Sequence, residues 1–448
     1  MARADVGIVG AGLAGLTTAI GLAGAGARVH VLAAGHAATH WAPGTIDAGV
    51  APGAVTPAAA VELLRRRPGH PYAIVARDLA PALDDLRRVL RASGIELVGE
   101  FTDELRPIPT AIGATRLAGV VPDSMAAALG TWAADETLVV CSPAGFRDLW
   151  AEAAAASLRR PSSWRGHNRP TRVEGVTVEL PGVAGRRNVN GLELATAFDD
   201  PGWRDAALDA IARALEARVR GPGRVALPAV LGLQDHPAVL AAARARLPLV
   251  PFEVALVPPS VPGIRMYRAL RAALRLLGGR IQIGEAVSGT IEADGRVARL
   301  VAPSAAREFV LSVGAVVLAT GGIVGGGLVG QPDGSLVEAV LGLPVAGASA
   351  NGALDDDPFA AAGHPLEVAG IATDSALRPI AAGDPAGRPL AANVRIVGSL
   401  LAGQRYLRER CGDGVAIASA RAAVRSLGGE AVAGPGGADR SGDAVVEV

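Results

Sequence analysis

Lysine is absent from this 448-residue chain, so all 43 of its basic residues are arginine. That rules out a Walker-type phosphate loop and a lysine Schiff base, and the bias itself reads as base composition at the genome level. Cysteine is confined to Cys141 and Cys411, with no C-x-x-C pair. The chain alone therefore has no framework for an iron–sulfur cluster or a cysteine zinc site. Its seven histidines lack a spacing such as H-E-x-x-H, so no bound metal is expected. Aromatic residues make up 3% and the net charge is zero. Neither a base-stacking surface nor a basic patch can be assembled, and a nucleic-acid partner is not expected. The longest late apolar stretch, residues 315–330, is broken by glycines and too short to cross a bilayer.

Half the residues are hydrophobic and 19% are charged, enough for a large core in one interrupted domain or two domains. The most informative stretch is Asp5-Val-Gly-Ile-Val-Gly10-Ala11-Gly12-Leu-Ala-Gly15. A short apolar strand, a G-x-G-x-x-G turn and a helical pattern from Leu16 follow one another, and Ala27–Ala33 supplies a second strand. Gly10 permits the tight turn, Gly12 admits a pyrophosphate, and Gly15 lets helix and strand pack closely. Arg3, an apolar run and small residues near Ala25 imitate a secretory signal, but Asp5 and the glycine spacing favour the nucleotide fold. The carboxylate that usually bonds a ribose hydroxyl is missing, since Leu32-Ala33-Ala34-Gly35-His36 carries none. That weakens the case for NAD and favours a flavin.

Further along, residues 58–67 and 77–93 read as helices, the second through Leu79, Leu83, Leu86 and Leu90. Ser142-Pro143 has the form of a helix start, with a helix expected to about Arg160. Residues 161–190 look like an inserted β subdomain, and helices are expected over 191–218 and 235–246 and from Ile264 to Leu277. Turns are expected at Asp294-Gly295 and Ser304-Ala305. Val316-Val-Leu-Ala319-Thr320-Gly321-Gly322 is a central strand ending in small residues. Asn393–Ser399, with Gly398, reads as a last strand, and Gly412-Asp413-Gly414 opens a helix over Ile417–Val424. Such a helix start stabilises negative charge on a flavin. The fold class is therefore α/β, a Rossmann-like FAD-binding domain with a parallel sheet, interrupted by an inserted α+β substrate or cap domain. The expected boundaries are 1–100 and 265–427 for the FAD-binding part, 101–264 for the insert, and a disordered tail over 428–448.

The chain resembles a known family, the B-subunit of the anaerobic glycerol-3-phosphate dehydrogenase, over roughly residues 5–425. The resemblance rests on His70-Pro71-Tyr72, Pro258-Pro259-Ser260-Val-Pro-Gly263-Ile264-Arg265, Thr373-Asp374-Ser-Ala-Leu-Arg378-Pro379, 321–330, Leu341-Gly-Leu and Cys411-Gly-Asp-Gly. It implies a flavin-dependent redox subunit of a quinone-linked enzyme that oxidises sn-glycerol 3-phosphate to dihydroxyacetone phosphate. It also implies a separate catalytic flavoprotein subunit and an iron–sulfur subunit as partners, with attachment to the inner face of the membrane only through those partners; two cysteines in a chain of this size suit a reducing, cytoplasmic location. It implies FMN, whereas the glycine fingerprint favours FAD. Two departures stand out: Ser399 replaces the acidic residue common after the last-strand glycine, and 399–410 lacks the family's Gly-Gly-Phe/Tyr-Asp segment. The expected cofactor residues are Gly10, Ala11, Gly12, Gly15, Val287, Ala319, Thr320, Gly321, Gly398, Gly412 and Gly414. The catalytic candidates are His40, as the base for the hydroxyl proton, and Arg265 and Arg378, as bidentate anion binders. Alternatives are a stand-alone FAD-dependent oxidoreductase of the fumarate-reductase-like group and a scaffold without cofactor.

Overall fold

The computed structural model describes residues 2–431 apart from 184, 220, 285, 304–307, 348–353, 362 and 385. The chain opens with β1 (Ala2–Val9), α1 (Leu13–Gly24) and β2 (Val29–Ala33), the expected strand–turn–helix–strand unit. All of β2 and the end of β1 are buried, as an apolar run without alternation requires of a parallel strand covered on both faces. Thr56 then caps α2 (Pro57–Leu64) by accepting from the Ala59 N–H, with proline in the first turn. A single turn, α3 (Tyr72–Val75), precedes α4 (Leu79–Arg91), whose four leucines form its buried stripe. Short strands follow: β3 (Leu97–Val98), β4 (Arg106–Pro109), β5 (Thr115–Ala118) and β6 (Val121–Pro122). Strands and helices then alternate through β7 (Thr137–Pro143), α5 (Ala151–Leu158), β8 (Arg172–Val178), α6 (Gly191–Phe198), α7 (Pro201–Arg218), β9 (Gly223–Pro228), α8 (His236–Arg246), β10 (Val250–Val254) and α9 (Val261–Leu276). The remainder is β11 (Arg280–Ile283), β12 (Ser288–Gly289), β13 (Arg299–Ala302), β14 (Phe309–Leu318), β15 (Leu328–Gly330), β16 (Leu336–Glu338), β17 (Val394–Ile396), α10 (Tyr406–Glu409) and α11 (Gly412–Ala431).

These elements form two compact units. The first holds the described residues up to Gly35, Leu274–Gly403 and α11 from Ala416. Its sheet runs β11-β2-β1-β14-β13-β12, with β17 also on β14. The five parallel members, taken by rank along the chain, stand in the order 3-2-1-4-5 of a Rossmann fold. The ten-residue β14 is shared lengthwise: its first half pairs antiparallel with β13 and its last residues pair parallel with β17. Strand order reverses between β1 and β14, so the open crevice of this fold lies at their carboxyl ends, where Gly10 and Ala319 stand.

The second unit, His36–Ala273 with Gln404–Val415, enters the sequence between β2 and β11. Its sheet, β10-β9-β7-β8, is wholly parallel, and β3–β6 and β4–β5 form two antiparallel pairs. Trp164, Phe146, Phe198 and Phe252 are buried in its core; each such aromatic side chain contributes about 2–3 kcal/mol by leaving water. The units change over after Gly35 and Ala273, against 100/101 and 264/265 in the sequence reading. Residues 36–100 join the second unit because its backbone binds them, through Ile46 N to Val120 O, Ala58 N to Phe101 O and the β3–β6 ladder.

Ser142-Pro143 is not a helix start. These residues close β7, where they pair with Thr177 and Val178 of β8, and the helix begins only at Ala151. The apolar run Leu138–Cys141 extends the strand, and pairing on both sides outweighs the cap signal. Ser142 Oγ instead donates to Leu149 O at 2.7 Å. Residues 161–190 supply one strand of this parallel sheet, β8, and not a β subdomain of their own. The last helix runs on to Ala431, so the start of the expected tail is helical. Residues 432–448 and the Ser304-Ala305 turn lie outside the described residues.

Candidate functional site

In the first unit the glycine turn is held from both sides. Gly10 N donates to Leu32 O and Ala319 N donates to Val9 O, each at 2.8 Å. A Cβ on Gly10, at φ +112°, would lie 2.2 Å from Ala319 O, and one on Gly15 would lie 2.0 Å from Gly10 O. Both glycines are thus dictated by backbone packed against backbone. Ala11 is buried, and Gly12 is the N-cap of α1 with no side chain to offer the first turn. A helix N-terminus left without a side-chain cap is an anion site. Next to it, the Ala319-Thr320-Gly321 turn presents Thr320 Oγ1, buried and without a hydrogen-bond partner. Gly321 takes φ +80°, and Ser399 Oγ accepts from Gly322 N at 3.2 Å. Gly398, at φ +71°, donates its N–H to Ser419 Oγ, and a Cβ there would lie 2.9 Å from that of Ala14. The cradle and the orphaned hydroxyl fit a pyrophosphate. Val287 is buried in the connection that leads from β11, the neighbour of β2, to β12.

Gly412 and Gly414 fall in the second unit. A Cβ on Gly414 would meet Tyr72 OH at 2.2 Å, so protein packing already dictates that glycine. Tyr72 OH donates to Ala48 O at 2.5 Å. Around it lies a charged hub that explains the His70-Pro-Tyr and Cys411-Gly-Asp-Gly strings. Asp47 receives both Arg116 and Arg410, the latter at 2.7 Å, and its own N–H donates to Asp413 Oδ2. Burial, then the charge of Asp47, pushes Asp413 up to about 7. Glu409 receives Arg67, the Arg405 N–H and His70 Nε2 at 3.2 Å, and is held low despite its burial, which acts the other way.

His70, Glu409 and Cys411 bring a nitrogen, an oxygen and a sulfur within 4.8 Å of one another. His70 Nδ1, however, accepts the Tyr72 N–H at 3.1 Å. The ring proton therefore sits on Nε2, the nitrogen a metal would need, and the group reads as a hydrogen-bond hub. Sequence spacing gives no hint of this cluster, because His70 lies more than 330 residues from the other two.

His40 ends a single 3₁₀ turn, Ala38–His40, that is locked to the Pro-Pro-Ser-Val loop by Ser260 N donating to His40 O at 2.8 Å. A Cβ on Gly263 would lie 2.1 Å from Thr39 O. The distinctive P-P-S-V-P-G-I-R string thus clamps the His40 turn against α9. The His40 ring stacks on His36 at 4.6 Å and meets the edge of Tyr267 at 4.4 Å. Its Nε2 is buried without a partner, and burial followed by His36, Arg268 and Arg271 lowers its basicity. Arg265 is engaged internally: Nη1 and Nη2 pair with Glu253 at 2.8 and 3.0 Å, and Nε donates to Gly232 O. Ser124 Oγ and the Leu231 N–H complete the shell of Glu253. Arg378, in the first unit, bonds Asp374 at 2.8 Å, and that carboxylate also accepts the N–H groups of Ala376 and Arg378.

The FAD binding domain family matches residues 5–415. The probable anaerobic glycerol-3-phosphate dehydrogenase B-subunit of Halobacterium salinarum is 31% identical, over 94% of this chain and 97% of its own. The B-subunit of the anaerobic glycerol-3-phosphate dehydrogenase of Pectobacterium carotovorum subsp. carotovorum is 29% identical, over 93% and 97%. Among solved structures, the open conformation of a flavocytochrome c3 fumarate reductase is similar over 96% of this chain and 79% of its own, at TM-score 0.44 and 10% identity. FMN has no pyrophosphate for the Gly10–Gly12 cradle to hold, and the family match agrees with FAD as the cofactor. By that cradle and by these relatives, the chain is an FAD-binding oxidoreductase and belongs to the B-subunit family of the anaerobic glycerol-3-phosphate dehydrogenases.

Proposed function

We propose that this chain is the flavin-dependent redox subunit of a quinone-linked glycerol-3-phosphate dehydrogenase and works in a complex with a catalytic flavoprotein subunit and an iron–sulfur subunit. The observation that carries this reading is a pyrophosphate cradle in a chain alike to its B-subunit relatives along nearly their whole length. Gly10, Ala11, Gly12 and Gly15 hold the FAD pyrophosphate, and Ala319, Thr320, Gly321 and Gly398 line the adjoining turns. Gly412 and Gly414 open the helix that balances charge on the flavin, and Val287 contributes from the edge of the sheet. Bound FAD supplies hydride acceptance at N5. His40, neutral near pH 7 because its basicity is lowered, takes the hydroxyl proton as the alcohol becomes a ketone. Arg265 and Arg378 act as positioning residues, since carboxylates already hold them.

Two separated, buried cysteines cannot carry a cluster, which supports a partner that relays electrons to quinone. Among the described residues no helix is long and apolar enough to cross a membrane, which supports membrane contact made through partners. The test is flavin extraction with mass determination, followed by quinone-analogue reduction by the chain alone and with co-expressed partner subunits. FAD at about one per chain and turnover only with the partners is expected. Sustained turnover by the isolated chain would favour the stand-alone oxidoreductase, and a chain purified without flavin would favour the scaffold.

A further inference from the structure

The two candidate anion binders, Arg265 and Arg378, pair with carboxylates. Arg268 and Arg271, one turn apart on α9, do not: neither has a carboxylate partner among the described residues. Arg271 carries its guanidinium 5.4 Å from the centre of the Tyr267 ring, and its Nε is buried with no acceptor. Tyr267 is itself 1% exposed and forms the floor on which His40 and His36 stand in a row. Three nitrogen-bearing side chains, His36, His40 and Arg271, thus gather around one buried ring. Burial first, and then His36, Arg268 and Arg271, lower the basicity of His40. An unbalanced cluster of donors, two of them planar forks, is the complement of a dianion with several oxygens. Stacking on Tyr267 fixes the Arg271 fork in advance, which lowers the entropy lost on binding.

We propose that Arg268 and Arg271, with His36, form a binding site beside His40 for the phosphate group of a small phosphate monoester. The identity of the ligand as a phosphorylated polyol rests on the function proposed above; the anion chemistry does not. Holding the phosphate beside His40 would bring a hydroxyl one or two carbons away within reach of that base. This moves anion recognition one helical turn along α9 from Arg265.

The test is titration calorimetry on the full chain with glycerol 3-phosphate, inorganic phosphate and glycerol as separate probes. The proteins compared are wild type, R268Q, R268Q/R271Q and the charge-retaining R268K/R271K. The flavin-to-protein ratio is read from the visible spectrum of each. The expected result is a loss of glycerol 3-phosphate affinity of about tenfold or more in the double glutamine variant, roughly 1.4 kcal/mol or more. The loss should be smaller in R268Q, partly reversed in the lysine variant, and accompanied by unchanged flavin content. Equal affinity in wild type and R268Q/R271Q, or no binding of either phosphate probe by wild type, overturns the site. Loss of flavin in step with phosphate also overturns it, because the phosphate recognised would then be the cofactor's. Binding of inorganic phosphate that the arginines control, with no binding of glycerol 3-phosphate, upholds the anion site and overturns the substrate reading instead.

Discussion

At Gly10 the limiting neighbour is a backbone oxygen and not a side chain. Ala319 O lies where a Cβ would need to be, and φ +112° is unfavourable for any L side chain. Neither carbonyl nor turn can relax without parting β1 from β14, which are paired through Val9 and Leu318. Gly10→Ala should therefore cost about 1–3 kcal/mol of stability and, by opening the pyrophosphate cradle, about tenfold or more in FAD affinity. The flavin absorbance retained through gel filtration measures the second effect; a variant that keeps a full complement of flavin would show that this turn does not hold the cofactor. Leu32 to Gly35, where the ribose carboxylate is missing, lies at the end of the same sheet. The pyrophosphate contacts consequently matter more here than in a chain with both anchors.

Among the elements, the P-P-S-V-P-G-I-R loop links sequence to site most directly. Its string is conspicuous in the sequence, but its purpose is not. Gly263 is needed because Thr39 O and Ala42 O lie 2.1 and 2.6 Å from where its Cβ would be, a contact across more than 220 residues that no local pattern encodes. Gly263→Ala should push the His40 turn off α9. The expected outcome is kcat/KM lowered by about tenfold with flavin content preserved, read by steady-state assay of the assembled complex. An unchanged kcat/KM would detach His40 from catalysis. Elements with local signals are legible: the first βαβ unit, the leucine stripe of α4 and the strand before Ala319 all follow from periodicity and turn chemistry. Ser142-Pro143 misleads for the opposite reason, because parallel pairing of β7 with β8 and β9 overrides a good local cap signal.

For the whole molecule, what the sequence does not disclose is how charge is distributed. Asp47, Arg116, Arg410 and Asp413 come from three distant segments, as do Glu253, Arg265 and Ser124, and only the fold brings them together. Such buried sets are strongly destabilising when one member is removed, although they add little net stability while intact. Asp413 offers a measurable consequence. Its pKa is raised from 3.8 to about 7, so the fold favours the protonated acid. Below the ordinary carboxylate range that preference costs nothing. As pH rises through the interval the unfolded chain ionises first, stability is lost, and the loss is complete once pH passes about 7. Asp413→Asn removes the ionisation and keeps a neutral group of the same shape able to accept from the Asp47 N–H. The variant should match wild type near pH 4 and exceed it above pH 7 by about 1–2 kcal/mol, less than the full shift implies because the residue is partly open to solvent. Thermal melts of both proteins across that range check this: their difference should widen with pH and then level off, and a difference independent of pH would mean that Asp413 is ionised in the fold throughout.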